Sequence, residues 1–319
     1  MTLTSFEVGL ATKKSNLAGG SYGTRFVLVY MRRHPKRVRT AVLNGIAPPH
    51  RNSYLYAAAY LQDALGVLSR ECRDDPDCAS RFPDFDEQFE ALLNRFRDGP
   101  VAVKLSFGNY VSFSLFNFGY AIRGLLYQPS SPLREMVDEA HRSGDISPFA
   151  TYYLDRASWV RSEFSTGMHL SVLCSENLPY SSPEEIRRVT ESTFLGDELY
   201  RQYQQACEVW PRGDVPAKYH DPVRSDVPVL ILSGEHDPVS PPGLAEETAL
   251  HLSRSLHVVA PGAGHEAPVP RGCKLSSSTA EAWKISTPLA CEAGERALTR
   301  SHDVGSATGP SCEHVEQTL

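Results

Sequence analysis

The sequence predicts an α/β protein in which a small parallel sheet is interrupted by a long helical insertion. Three stretches carry that prediction. Residues 14–49 read as strand, sharp turn, helix and strand; residues 50–222 read as mainly helical; residues 227–265 return to strand, loop, helix and strand. A chain of 319 residues, 41% hydrophobic and 22% charged, is long enough for two compact units or for one large domain with an insertion.

The first stretch opens with the short apolar segment Asn16–Ala18, followed by the turn Gly19-Gly20-Ser21-Tyr22-Gly23. Thr24–Arg33 has helical character and stops before Pro35, because proline lacks the backbone donor and clashes one turn back. Val38–Leu43 reads as a buried strand ending at Asn44-Gly45. In the insertion, Asp86–Phe96 and Pro183–Phe194 are amphipathic at helical spacing, and no regular strand alternation is evident. The aromatic stretch Phe107–Tyr127 fits either the lining of an apolar pocket or plain core. Val227–Ser233 is a near-continuous apolar run, as expected for a parallel strand buried on both faces. Gly243–Leu252 is an amphipathic helix and Leu256–Ala260 a further strand. The expected organisation is therefore a core formed by residues 1–50 and 222–273, a helical cap over 51–221, and a Ser-, Thr-, Ala-, Gly- and Glu-rich, poorly ordered tail over 274–319.

Charge and hydropathy narrow the partners. With 32 Lys+Arg against 38 Asp+Glu the net charge is −6, without the basic surface that nucleic acids or anionic membranes require. No apolar run approaches the roughly 18 residues of a membrane-spanning helix, and the first residues lack a basic segment followed by an apolar one. The seven cysteines show no C-x2-C pair of the kind that binds zinc. They read either as scattered buried thiols or as structural disulfides of an oxidising compartment.

The chemistry begins at Gly19-Gly20-Ser21-Tyr22-Gly23, a G-x-S-x-G match placed between a strand and a helix. That context is what a nucleophile elbow needs: a strained turn projects the serine hydroxyl, and glycines on either side avoid collision with neighbouring backbone. A glycine-rich turn holding an ordinary serine is the competing reading. A serine becomes a nucleophile only beside a base, which in turn needs an orienting acid, and in elbow folds these follow in the order Ser, Asp or Glu, His. Asp237, in Gly234-Glu235-His236-Asp237-Pro238-Val239, lies directly past the Val227–Ser233 strand and fits the acid. His265, in Pro261-Gly262-Ala263-Gly264-His265, lies directly past the last strand and fits the base. Glu235, His236 and Glu266 are nearby competitors; Asp237 as a turn former and His265 as a surface histidine are the plain alternatives. Asp237 is preferred because Asp-Pro-Val followed by Pro241 makes a tight turn that aims one carboxylate. Such chemistry uses side chains alone, with neither cofactor nor metal.

The segments NLAGGSYGTR, GEHDPVSPP and APGAGH resemble the α/β-hydrolase fold, and more narrowly the serine aminopeptidases of the proline iminopeptidase and tripeptidyl aminopeptidase type. ECRDDPDCASRFP, AIRGLLYQPSSPL, SVLCSENLPY and ACEVWP are similar to segments of the tripeptidyl branch, so the resemblance covers roughly residues 10–273. It implies Ser21 as nucleophile, His265 as general base, Asp237 as its partner and a helical lid. The backbone N–H of Tyr22 would be an oxyanion donor. It also makes Cys72–Cys78 and Cys174–Cys207 candidate disulfides of the kind exported members carry, which leans the localisation toward an extracytoplasmic one. The substrate it implies is a small peptide, cleaved near its amino end; an ester is the runner-up, and a catalytically dead remnant is the reading from another class. An aminopeptidase needs a negative group for the substrate ammonium, for which Glu176 in Cys174-Ser175-Glu176-Asn177 is the candidate, against a plain solvated glutamate.

Two departures from the family pattern stand out. A complete member has about four strands before the elbow and an HGGPG-like turn that carries a second oxyanion donor, a motif this sequence does not contain. The expectation is a partial sheet of about four strands, with an open edge beside Ser21 and one oxyanion donor fewer, a loss that typically costs about 10²–10³ in rate. Beyond Arg271-Gly272-Cys273 the sequence resembles nothing in the family, as a fused or frame-shifted gene end would.

Overall fold

A computed structural model describes residues 14–106, 108–128, 131–265, 267, 274–276 and 284–286. The chain divides into two compact units: Met1–Pro48, Pro222–Gly234 and Pro242–Leu319 form one, and Pro49–Asp221 with Glu235–Pro241 form the other.

The first unit is built on a four-stranded parallel sheet. Strand β1 (Ser15–Gly20) leads through the elbow into helix α1 (Tyr22–Arg33), and the chain returns in β2 (Val38–Asn44). Proline and basic residues at Pro35–Arg37 make the single 3-10 turn between them. β2 pairs in parallel with β1 on one side and with β5 (Val229–Gly234) on the other; β6 (Ser255–Ala260) completes the order β1-β2-β5-β6. Every residue of β5 is buried, which the apolar run VLILSG predicts for a central parallel strand. β1, at the edge of this order, alternates half-buried and exposed residues. Helix α11 (Pro242–Ala249) connects β5 to β6. Arg25 of α1 is buried and donates from Nε to the Ala47 carbonyl at 3.0 Å and from Nη2 to the Pro48 carbonyl at 3.1 Å, so a buried charge here is fully engaged in fixing the turn after β2.

The second unit is a helical assembly. Its helices are α2 (Ala57–Asp74), α3 (Pro76–Arg81), α4 (Phe85–Asn94), α5 (Leu115–Leu126), α6 (Leu133–Ser143), α7 (Ser147–Glu163), α8 (Thr166–Glu176), α9 (Pro183–Thr190) and α10 (Glu198–Val209). Sequence punctuation accounts for their starts: Asp75 accepts from the backbone of Asp77 and Cys78 to open α3, and Ser114 with Asn117 forms a reciprocal cap that opens α5. The sequence reading of this region as mainly helical, without regular strand alternation, misses an antiparallel hairpin, β3 (Val101–Lys104) paired with β4 (Tyr110–Phe113). Four residues per strand are too few to register as alternation, and the signal lies instead in the turn, where Gly108 adopts φ 85°. Part of the aromatic stretch is core: Phe113 and Phe118 are fully buried with Leu61, Ile122 and Phe149, while Tyr110 is exposed and Phe107 lies outside the described residues. A second apolar cluster gathers Leu55, Leu173, Leu178 and Tyr200 around the cystine of Cys174 and Cys207.

The cysteine pairings implied by the family resemblance are both present, Cys72–Cys78 and Cys174–Cys207. Of the tail, only Lys274–Ser276 and Lys284–Ser286 fall among the described residues, where they pair as a short antiparallel ribbon (β7 and β8); the expectation of poor order over the rest of 274–319 lies outside them. Among the described residues no helix is long and apolar enough to cross a membrane.

Loop-closure entropy separates the two disulfides. A bond spanning 33 residues is expected to contribute about 4 kcal/mol and one spanning 6 about 2 kcal/mol. Urea denaturation of a Cys174→Ala/Cys207→Ala double variant should therefore show a larger loss of stability than a Cys72→Ala/Cys78→Ala variant. Equal losses would contradict the entropic account.

Candidate active site

Ser21 sits between β1 and α1 with φ 49° and ψ −122°, the one non-glycine residue at positive φ among those described. A side chain rarely holds that conformation, and the cost is met by a fixed surround. The Ser21 N–H donates to the Asn44 carbonyl at 2.9 Å, while its own carbonyl accepts from the Thr24 N–H at 3.0 Å and from Thr24 Oγ1 at 2.6 Å. Thr24 Oγ1 accepts in turn from the Ala47 N–H at 2.8 Å, which ties the elbow to the turn after β2.

The glycines on the two sides of the serine are not equivalent. A Cβ on Gly19 would lie 2.5 Å from the Gly23 carbonyl oxygen and 2.8 Å from the Thr24 nitrogen, so strand and helix cross too closely for any side chain there. A Cβ on Gly23 would meet nothing within 4 Å. This corrects the expectation that both glycines are sterically required: α1 passes over Gly19, while the outer side of Gly23 is open.

His265 reaches Ser21 from the loop after β6. Its Nε2 lies 2.9 Å from Ser21 Oγ, across 244 residues of sequence. Gly234, at the end of β5, makes room for that loop, since a Cβ there would overlap the Gly264 carbonyl and lie 2.5 Å from that of Ala263. Asn44 Nδ2 donates to the Ala267 carbonyl at 2.8 Å, just beyond the histidine. One residue at the end of β2 thus holds the nucleophile through its carbonyl and the base-bearing loop through its side chain. Sequence reasoning saw Asn44 only as the end of a strand; an amide at a strand terminus was the available signal.

The other candidates were found at these places. Tyr22 is the first residue of α1, half exposed, with its backbone N–H at the helix start. Asp237 lies in the second unit with 1% of its surface exposed; its Oδ1 accepts from the Val239 N–H at 2.7 Å and the Ser240 N–H at 2.9 Å. The Asp-Pro-Val-Ser turn therefore fixes the carboxylate. Glu176, at the end of α8, accepts from the Tyr219 hydroxyl at 2.5 Å and lines a cavity of about 160 Å³ together with His50, Arg51, Tyr180, Glu185 and His220.

Of the competitors named beside Asp237, His236 has a different partner. Its Nε2 lies 2.5 Å from Glu71 Oε2 on α2, and Arg134 Nη2 lies 3.8 Å from the same oxygen. Burial raises the Glu71 carboxyl, but the hydrogen bond from His236 and the charge of Arg134 outweigh it and hold the carboxyl below the ordinary glutamate value. The Asp237 turn is anchored to α2 by this pairing. Glu71, Glu235 and His236 bring ligand atoms within 4.8 Å of one another, the one such group found among the described residues, with Arg134 already beside the carboxylate.

A parallel sheet, a strained serine at a strand-to-helix elbow and a histidine delivered to it from a later strand define an α/β-hydrolase-like protein of the serine type. Residues 192–276 match the α/β-hydrolase family described as TAP-like protein. Over 286 residues the chain is 24% identical to Serine protease Hip1 of Mycobacterium tuberculosis and of Mycobacterium bovis, covering 80% of this chain and 52% of theirs. The chain thus spans about half the length of the curated relatives it matches. Among solved structures, MGS-M2, an alpha/beta hydrolase from a Medee basin deep-sea metagenome library, aligns at 16% identity and a TM-score of 0.31, covering 82% of this chain and 62% of that one. Naproxen esterase from Bacillus subtilis aligns at 14% identity and a TM-score of 0.29, covering 83% and 58%.

The asymmetry of the elbow glycines makes a direct test. Gly19→Ala should lower the thermal midpoint and abolish reactivity at Ser21, whereas Gly23→Ala should be tolerated or stabilising by up to about 1 kcal/mol through helix propensity. Comparable destabilisation by both substitutions would contradict the geometry.

Proposed function

We propose that this chain carries the reacting groups of a serine hydrolase that cleaves short peptides near their amino end through an acyl-enzyme. The observation that carries the reading is the 2.9 Å approach of His265 Nε2 to Ser21 Oγ at a strained elbow. In the proposed reaction Ser21 Oγ attacks the scissile carbonyl carbon while His265 Nε2 takes the hydroxyl proton. The carbonyl oxygen, now negative, accepts from the Tyr22 N–H. His265 returns the proton to the leaving amine, the C–N bond breaks, and a water activated by the same imidazole releases the acyl group. Asp237 is assigned the orienting role toward the base; its burial and its two backbone hydrogen bonds support a fixed carboxylate.

Restriction to the amino end is assigned to Glu176. A carboxylate beside a small polar cavity, with Glu185 as a second acid among the lining residues, suits a substrate ammonium, and Tyr219 donates to that carboxylate. The similarity to TAP-like proteins and to a serine protease supports a peptide rather than an ester as substrate. The two disulfides support an extracytoplasmic site of action, because such bonds persist where the environment oxidises thiols.

Turnover of tripeptide arylamides, of their N-acetylated forms and of short aryl esters separates the readings. The proposal expects arylamide hydrolysis that Ser21→Ala abolishes. It also expects Glu176→Gln to lower kcat/KM for the free-amine substrates by about tenfold or more, a charge-assisted hydrogen bond being lost, and to leave ester hydrolysis unchanged. Ester turnover without arylamide turnover would establish a carboxylesterase. Equal effects of Glu176→Gln on acetylated and free-amine substrates would remove the amine anchor.

A further inference from the structure

The helical unit holds two guanidinium groups that its own fold leaves without an acceptor. Arg123, on α5, has its Cζ 5.6 Å from the ring centre of Tyr127; Arg156, on α7, lies 5.6 Å from the same ring and 4.3 Å from that of Trp159. Among the described residues neither guanidinium makes a hydrogen bond or an ion pair, and Nε of Arg123 is buried without a partner. Arg25 is the contrast within the same chain: buried, it donates to two carbonyls. Removing a guanidinium from water without acceptors is costly, and contact with an aromatic face recovers only part of that cost. Arg123, whose Nε is buried without an acceptor, and Arg156, half-buried beside the same tyrosine, therefore offer an anion two guanidiniums.

The titratable groups that act on Arg123 are Tyr127, Tyr203, Tyr54 and Tyr120. Burial pushes the Tyr127 and Tyr203 hydroxyls above their ordinary value, so both stay neutral phenols. One carboxylate acts on the same place, since the charge of Asp237 also bears on Tyr127. The anionic groups that an unmodified peptide carries are carboxylates. The planar fork of arginine is matched in turn by a planar carboxylate.

We propose that Arg123 and Arg156 form a subsite for the carboxylate of a bound peptide, adjoining the turn that carries Asp237. That the ligand is a peptide, and so that its anion is a carboxylate, rests on the hydrolase reading above; that the site takes an anion rests on the two arginines alone. The carboxylate comes from the carboxyl end of a short peptide or from an acidic side chain within it.

Calorimetric titration of the full chain carrying Ser21→Ala, which prevents turnover, distinguishes the sources. The probes are tri-alanine as the free acid, tri-alanine amide, and Ala-Glu-Ala amide. The free acid or the Glu-containing amide, or both, should bind at least about tenfold more tightly than tri-alanine amide, the preferred probe naming the source. Arg123→Met added to that background should remove the preference. Arg156→Met, on a separate helix, gives the same test should the first variant fail to fold. Equal affinity for all three probes, no binding of any, or a preference that survives both arginine substitutions would overturn the proposal. The hydrolase reading is tested apart, by arylamide turnover in the chain with Ser21 intact. Turnover without carboxylate preference would sink the subsite alone, and preference without turnover would sink the hydrolase alone.

Discussion

The hydrogen bond between His265 Nε2 and Ser21 Oγ is the contact on which the rest of the first unit converges. It joins two segments 244 residues apart, and each is brought to it by a constraint that sequence chemistry explains. Ser21 is held at positive φ because Asn44, Thr24 and the Ala47 N–H lock the elbow from three directions. His265 arrives because β6 pairs in parallel with β5 and the following loop presses into space that Gly234 leaves open. The strain of the elbow and the crowding at Gly19 and Gly234 oppose folding, and both persist only because the parallel sheet over-determines the positions of its own loops. Asn44 ties the two halves together by a backbone bond to one and a side-chain bond to the other.

The second unit solves a different problem, that of holding many helices without a sheet. Aromatic packing around Phe113, Phe118 and Phe149 supplies one core, and a cystine-centred cluster supplies another. Within it the turn bearing Asp237 is fixed twice, by its own backbone hydrogen bonds and by the His236–Glu71 pairing to α2. A short polar turn carries little apolar surface of its own, so electrostatic anchoring takes the place of burial. In the same unit Arg123 Nε is buried without a partner, as are Gln88 Oε1 and Arg134 Nε, in contrast to the engaged Arg25 of the sheet unit.

Much of the sheet unit was legible in the sequence, because its signals are local. The apolar run of β5, the proline after α1 and the Gly-x-Ser-x-Gly turn each declare their conformation within a few residues. Ser21 and His265 could be named for the same reason: each sits at the carboxyl end of a strand, where parallel sheets collect reactive groups. The hairpin of β3 and β4 was not legible, since two four-residue strands carry too little periodicity to stand out among helices. Gly23 was over-read, because a motif records that a glycine is present and not which side of it is crowded. Asn44 and Glu71 were missed because their partners are distant in sequence. A pairing such as Glu71 with His236, across 165 residues, has no signature in either segment alone.

The central claim is that Ser21 is made reactive by His265, and the rate of covalent labelling of Ser21 by a fluorophosphonate measures it most directly. The account predicts efficient labelling of the unaltered chain, no labelling of Ser21→Ala, and a rate lower by at least about 10³-fold in His265→Ala, the scale on which a nucleophile depends on its base. Labelling of His265→Ala at the rate of the unaltered chain, or no labelling of a well-folded unaltered chain, would contradict it.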